Sequence, residues 1–166
     1  MNRMRFAIFS VVTVIAACGG GNNNNTTDAS GNDAPVSAAC QEATTYQNLA
    51  NIEDKIFKTS CIFSGCHNGA NTDAGKVDLR SGMAHDHLVN FDSIVENGRK
   101  LVVAGDPAAS YMMVMIGQID PGSASPPTTA PPTTIGLMPQ NTGGMLLCQQ
   151  KRDAIERWIM AGAAND

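Results

Sequence analysis

Residues 61–67 read CIFSGCH: four residues separate two cysteines, and a histidine directly follows the second one. Two thiols beside an imidazole have three chemical uses. The thiols can pair as a disulfide, they can bind zinc together with the imidazole, or they can form thioethers to a prosthetic group. The function of the chain depends on which of these uses Cys61, Cys66 and His67 serve.

The order of these three residues favours thioethers. In covalent c-type haem attachment each thiol adds to one vinyl group, and the adjacent histidine is the proximal ligand of the iron. The usual spacing has two residues between the cysteines, whereas four intervene between Cys61 and Cys66. The two additional residues must loop outward, and Gly65 permits this because glycine tolerates positive φ. The sequence therefore predicts one covalent haem c on Cys61, Cys66 and His67.

A helix is predicted just before this heptapeptide, over residues 44–58. Thr44 and Gln47 have the spacing of a capping box. Large apolar side chains then recur every three or four residues and form one stripe: Tyr46, Leu49, Ile52 and Ile56. Phe57 continues this stripe toward Cys61, so the buried face of the helix should extend to the heptapeptide.

A second helix is predicted over residues 149–161. Its apolar side chains share one face: Ile155, Trp158 and Ile159. Asp153 lies four residues before Arg157, the spacing of a helix ion pair, and Gly162 should end the helix.

The segments between the two helices are short. Residues 110–116 form a compact apolar piece whose methionines should fill the core: Met112, Met113 and Met115. Residues 121–134 hold five of the eight prolines and predict an exposed Pro/Thr-rich loop. Because no useful run of strand period is present, the predicted class is mostly α.

The N-terminus reads as an export signal. Arg3 and Arg5 precede an apolar run of twelve residues, which is too short for a stable membrane anchor, so residues 1–17 are predicted to be a signal peptide. Its end, Ile-Ala-Ala-Cys18, resembles the lipobox of bacterial lipoproteins, which implies that Cys18 is lipidated. Gly19 then favours the outer membrane, facing either the periplasm or the cell surface.

Residues 18–39 are predicted to form a tether. Beyond Cys18 this segment is polar and of low complexity, so it has little to bury. The functional domain is therefore predicted to comprise residues 40–166.

The order of several short motifs resembles class I c-type cytochromes, in particular the cytochrome c-like domains of exported bacterial lipoproteins. After Cys-Cys-His those domains carry motifs matched here by Gly105-Asp106-Pro107, Ser110-Tyr111, Met138-Pro139 and the Trp-Ile-x-x-Gly-Ala of residues 158–163. The resemblance covers about residues 44–164. It implies a cytochrome c-like fold in which N- and C-terminal helices cross at near right angles around a haem pocket.

The resemblance also implies that Met138 is the distal iron ligand, with Met145 as its nearest rival. A thioether ligand favours ferrous iron, and two filled axial positions leave no open position for a substrate. The resemblance therefore implies a carrier of single electrons and not an enzyme. A peroxidase or a sensor would need Met138 not to bind the iron.

If Cys18 carries lipid and Cys61 and Cys66 carry haem, as the resemblances imply, Cys40 and Cys148 remain and a disulfide between them is expected. The four non-lipid cysteines nevertheless permit three pairings, and the sequence does not choose among them. In one alternative Cys61 pairs with Cys66 and His67 is an ordinary loop histidine.

The sequence contains residues for two further possible metal sites. Zinc bound by Cys61, Cys66, His67 and Cys148 has permissible spacing, but a second close Cys/His pair is missing. His85 and His87 do not share a helical face and lie in a polar stretch, so they are expected at the surface.

Charge narrows the possible partners. The net charge is −4 with no basic run, which argues against nucleic-acid binding. Loss of residues 1–17 would leave nine basic against fifteen acidic side chains, favouring redox partner proteins with a basic docking patch, bound transiently. The predicted function is a membrane-tethered monohaem cytochrome. The alternative is a haem-free, disulfide-stapled envelope lipoprotein used for binding or structure.

Overall fold

The helix that leads to the 61–67 loop begins after Asn48. The computed structural model describes residues 36–140 and 142–166. The Asn48 side chain accepts a hydrogen bond from the amide of Asn51 at 3.0 Å and caps the helix. The helix then continues through α2 (Leu49–Ile52), one π-helical turn (Glu53–Phe57) and α3 (Lys58–Ser60).

The predicted start at Thr44 is wrong by five residues. Tyr46 has an extended backbone, which separates α2 from a 3-10 turn (Ala43–Thr45) and from the short α1 (Ala38–Glu42) before it. The Thr44 hydroxyl donates to the carbonyl oxygen of Gln41 and caps no helix. The predicted apolar stripe is confirmed, since its members are all buried: Tyr46, Leu49, Ile52, Ile56 and Phe57.

Ordered structure begins before the predicted boundary at residue 40. The hydroxyl of Ser37 accepts a hydrogen bond from the amide of Cys40 at 3.3 Å and caps α1, so the last residues of the predicted tether belong to the folded part. The described residues all lie in one compact unit, Pro35–Asp166. The predicted signal peptide, Cys18 and the tether before residue 36 lie outside the described residues.

The second predicted helix is confirmed to within one residue. α6 (Gln149–Met160) has one buried face, made of Ala154, Ile155, Trp158 and Ile159. The helix ends at Met160, and Gly162, two residues beyond it, has a φ of 104° in the left-handed region that glycine adopts readily.

The predicted ion pair between Asp153 and Arg157 is not formed. Arg157 instead donates to the carbonyl oxygens of Ala43 and Tyr46, at 2.9 and 3.3 Å. Asp153 accepts from Gln118 and Gln149, at 2.9 and 2.7 Å. Contacts between distant segments therefore replace the local pair, and Arg157 ties α6 to the turn before α2.

A disulfide joins the two ends of the folded part. Cys40 in α1 is bonded to Cys148, the residue before α6, with 6.2 Å between their Cα atoms. Of the disulfides that the sequence leaves open, the described residues contain this one, while Cys61 and Cys66 are unpaired. α6 accordingly packs against α1, the 3-10 turn and α2.

The middle of the chain is loops and single helical turns. It contains α4 (Ala84–Leu88), α5 (Tyr111–Met115) and two 3-10 turns (Ala74–Lys76 and Pro121–Ser123). Only isolated bridges occur between extended residues of the described segments, so the fold is mostly α. The three methionines of α5 are buried, as predicted: Met112, Met113 and Met115.

The Pro/Thr-rich loop over residues 121–134 is largely exposed, as predicted, with two exceptions. Ala124 and Pro131 are buried. The guanidinium of Arg99 donates to the carbonyl oxygen of Pro126, and the hydroxyl of Thr128 donates to Glu96 at 3.0 Å. The loop is thereby held against the body of the domain.

Among the helices in the described part of the chain, none is long and apolar enough to cross a membrane.

Candidate functional site

The 61–67 loop leaves α3 and folds back on itself. The amide of His67 donates to the carbonyl oxygen of Cys61 at 3.1 Å, and the amide of Cys66 donates to that of Phe63 at 2.9 Å. Gly65 has a φ of 77°, which confirms the prediction that this position needs a glycine's freedom. Backbone hydrogen bonds therefore set the spacing between the two cysteines and bring His67 back to the start of the loop.

Both thiols of the loop are free. Cys61 and Cys66 are half-buried, and Cys61 packs against the hydrophobic core. Burial raises the pKa of Cys61 to about 12, although the positive charge of Lys151 acts in the opposite direction. The Cys61 thiol is therefore protonated at neutral pH, and the Cys61–Cys66 disulfide considered as an alternative is not formed in this structure.

Two hydrogen bonds fix the position of His67, one through its ring and one through its backbone carbonyl. Its Nδ1 lies 3.1 Å from the carbonyl oxygen of Val77, and its carbonyl oxygen accepts from the amide of Leu79 at 2.9 Å. A carbonyl oxygen only accepts, so Nδ1 carries the proton and Nε2 carries the lone pair. Burial lowers the pKa of His67, which favours the neutral ring. A ring nitrogen held by a backbone carbonyl in this way is typical of histidines that bind metals.

The segment that holds the His67 ring is itself braced by an ion pair. The guanidinium of Arg80 contacts the carboxylate of Asp78 at 2.6 Å, and Asp78 is almost fully buried. The Arg80 guanidinium holds the pKa of Asp78 below its ordinary value. Sequence analysis missed Val77, Asp78 and Arg80, because no local pattern connects them with the histidine ten or more residues earlier.

Met138 lies in a second loop, away from the 61–67 loop in sequence. Its side chain is partly buried and contacts the hydrophobic core, and its amide donates to the carbonyl oxygen of Met115 at 2.8 Å. The rival methionine, Met145, is 72% exposed. Of the two predicted thioether ligands, only Met138 is anchored by packing.

A cleft of about 440 Å³ separates the two loops. One wall carries Thr59, Ser60 and Phe63, and the Cys40–Cys148 disulfide and Lys151 also line the space. The opposite wall belongs to the second loop: Pro139, Thr142, Met145, Leu146 and Leu147.

A second cavity, of about 370 Å³, adjoins this cleft, since the two share part of their lining: Pro139, Thr142, Met145 and Leu146. The structure therefore brings together the neighbours of Cys61 and of Met138 across one apolar space. Cys61, Cys66, His67 and Met138 are not among the lining residues of either space.

The two other metal sites considered from the sequence have no counterpart in the described segments. Cys148 is committed to its disulfide, and residues 36–140 and 142–166 contain no group of three or more side chains placed to hold a metal ion. His85 and His87 are half-buried rather than free at the surface. Their rings contact the carbonyl oxygens of Ala163 and Lys76, at 3.1 and 3.0 Å.

Comparison of the chain with family models, with curated proteins and with solved structures gives no match.

Proposed function

We propose that this protein is a membrane-tethered monohaem c-type cytochrome that carries single electrons in the bacterial envelope. The observation that carries the proposal is the His67 ring. Burial lowers the pKa of this ring, its Nδ1 is held by the Val77 carbonyl, and it directly follows two free thiols in the 61–67 loop. These are the three groups that attach haem c and bind its iron.

The residues fit the group in chemistry and in surroundings. Cys61 and Cys66 are reduced and would form the two thioethers, while Nε2 of His67 would be the proximal ligand. The partly buried thioether of Met138 lies in the loop across the cleft and would be the distal ligand. The cleft lining is mostly apolar, as a haem requires.

Bound haem would supply one iron that exchanges a single electron reversibly. The chain's own residues decide how that iron is used. His67 and Met138 together would fill both axial positions, so no position remains for a substrate. Phe63, Leu146 and Leu147 would exclude water from the cleft. We therefore propose a carrier and not an enzyme.

The N-terminal features give the proposed location. A signal peptide over residues 1–17 and a lipid on Cys18 would tether the domain to the outer membrane, on its periplasmic side or at the cell surface. The acidic balance of the remaining chain favours redox partner proteins with basic docking patches, bound transiently.

The test is a pyridine haemochrome spectrum of the full chain, produced in a bacterium with the haem c maturation apparatus. We expect a c-type α band that survives acid-acetone extraction and disappears in Cys61→Ser/Cys66→Ser. Absence of haem from correctly exported protein would refute the proposal and leave the haem-free lipoprotein as the better account.

The distal ligand is tested by Met138→Leu, with Met145→Leu as the matched control. Only the change at Met138 should abolish the charge-transfer band of methionine-ligated ferric haem. If the Met145 variant loses that band instead, the exposed methionine is the ligand.

A further inference from the structure

Lys151 differs from the other lysines of this chain. The four others each contact an aspartate: Lys55 and Lys58 contact Asp54, Lys76 contacts Asp73, and Lys100 contacts Asp92. Lys151 has no carboxylate partner among the described residues, and the first turn of α6, where it lies, contains no acidic residue.

Lys151 lies in apolar surroundings, where an unpaired positive charge is unfavourable. The side chain is half-buried and lines the cleft of about 440 Å³, whose nearby lining is mostly apolar. Phe63 of the 61–67 loop lines the same cleft, so Lys151 and this loop border one space. A cation among apolar groups loses hydration, and a bound anion offsets that loss.

We infer that the Lys151 ammonium binds a carboxylate of a tetrapyrrole in this cleft, so that the cleft selects a flat apolar ligand that carries acid groups. This inference rests on the proposed function and adds the part of the site that recognises the acid edge of the ligand. The apolar walls bind the ring, whereas Lys151 distinguishes the diacid from a neutral molecule of the same shape.

Mesoporphyrin IX tests this directly, because it has two carboxylates but neither iron nor vinyl groups. The experiment uses the full chain carrying Cys18→Ser, without attached haem, and follows porphyrin fluorescence. We expect mesoporphyrin to bind and its dimethyl ester to bind more weakly. Lys151→Gln should weaken mesoporphyrin binding about tenfold and leave ester binding unchanged, as expected for loss of one charged hydrogen bond.

Two variants control for charge and folding. Lys58→Gln removes the same charge beside the cleft residue Thr59 but from a lysine that pairs with Asp54, so it should leave mesoporphyrin affinity unchanged. Lys151→Arg keeps the cation and should retain most of the affinity. An equal loss in Lys58→Gln would overturn the inference, since net charge alone would then explain binding.

Three other outcomes would overturn the inference: mesoporphyrin does not bind, the acid and the ester bind with equal affinity, or Lys151→Gln leaves mesoporphyrin affinity unchanged. Binding of palmitate in place of mesoporphyrin would assign the cleft to fatty acids. The pyridine haemochrome assay separates the two proposals. If the protein carries haem c but Lys151→Gln leaves mesoporphyrin affinity unchanged, only this inference is refuted. If the protein carries no covalent haem, the proposed function is refuted.

Discussion

The Nδ1 atom of His67 lies 3.1 Å from the carbonyl oxygen of Val77, ten residues further along the chain. This contact determines which ring nitrogen is protonated, and therefore which one can bind a metal. The contact joins two segments of the polypeptide itself, so the orientation of the imidazole is a property of the fold. The first prediction follows from it.

In the haem-free protein we expect His67 to be a neutral, Nδ1-protonated tautomer at pH 7. Burial lowers its pKa, so the ring should stay neutral as the pH falls below the usual histidine range. Long-range 15N–1H NMR spectra measure the tautomer. His87 is the internal control, because its Nδ1 contacts the carbonyl oxygen of Lys76 at 3.0 Å and should also carry the proton. An Nε2-protonated His67 would contradict the assignment.

Removal of the Cys40–Cys148 disulfide should strongly destabilise the domain. The two cysteines are 108 residues apart, and in the chain-entropy model a closed loop of this size contributes about 4–5 kcal/mol. Cys40→Ser/Cys148→Ser should therefore lower the urea midpoint markedly. The single variant Cys40→Ser should lower it as much, since one partner cannot form the bond. Unchanged midpoints would show that the bond does not hold the native state.

Two neighbouring residues of α6 should respond very differently to truncation. Ile159 is fully buried against the α2 stripe, whereas Met160 is 62% exposed. Ile159→Ala should cost about 2–4 kcal/mol of unfolding free energy, because it leaves a cavity. Met160→Ala should cost less than about 0.5 kcal/mol. Urea denaturation of both variants measures the difference, and similar costs would place the buried face of α6 elsewhere.

The Asp78–Arg80 ion pair should make stability depend on acid pH. The folded-state pKa of Asp78 is lower than its unfolded value, so the pair stabilises the protein above about pH 4 and this contribution is lost as the pH falls through the folded pKa. Because Arg80 is exposed to solvent, we expect this contribution to the unfolding free energy to be small.

Asp78→Asn should remove that contribution and flatten the decline in unfolding free energy between about pH 5 and pH 2. Asp73→Asn is the control, since Asp73 and Lys76 are both largely exposed and should contribute little. If both variants keep the same acid dependence as the parent, Asp78 does not carry it.

Arg157 should be difficult to replace with lysine. One guanidinium nitrogen reaches the carbonyl oxygens of Ala43, Thr44 and Tyr46, and links α6 to the turn before α2. A lysine ammonium differs from this planar group in shape and in the directions of its donors. We expect Arg157→Lys to lower the thermal midpoint, and Lys100→Arg, on an exposed pair, to leave it unchanged. A neutral Arg157→Lys would show that charge alone suffices there.

The first long helix begins at Leu49, later than its local signals predict. Thr44 and Gln47 have capping-box spacing, and the apolar period is continuous from Tyr46 to Ile56. In the folded protein, however, Arg157 binds the main-chain oxygens just before α2, and Asn48 caps the helix instead. A contact with the other end of the chain therefore outweighs the local signal.

Features that depend on neighbouring residues follow from the amino-acid sequence alone. These are the buried faces of the helices around residues 49–60 and 149–160, the positive φ at Gly65, and the order of two thiols and an imidazole that points to haem. Periodicity and backbone sterics act within a few residues, so a linear reading detects them.

Features that join distant parts of the chain follow from the tertiary structure. The tertiary structure pairs Cys148 with Cys40 and positions the His67 ring at the Val77 carbonyl. It also places Lys151 in an apolar cleft without a carboxylate partner among the described residues. Each of these features depends on which segments pack together. That packing is set by burial and hydrogen bonding over the whole domain, so no local sequence pattern predicts it.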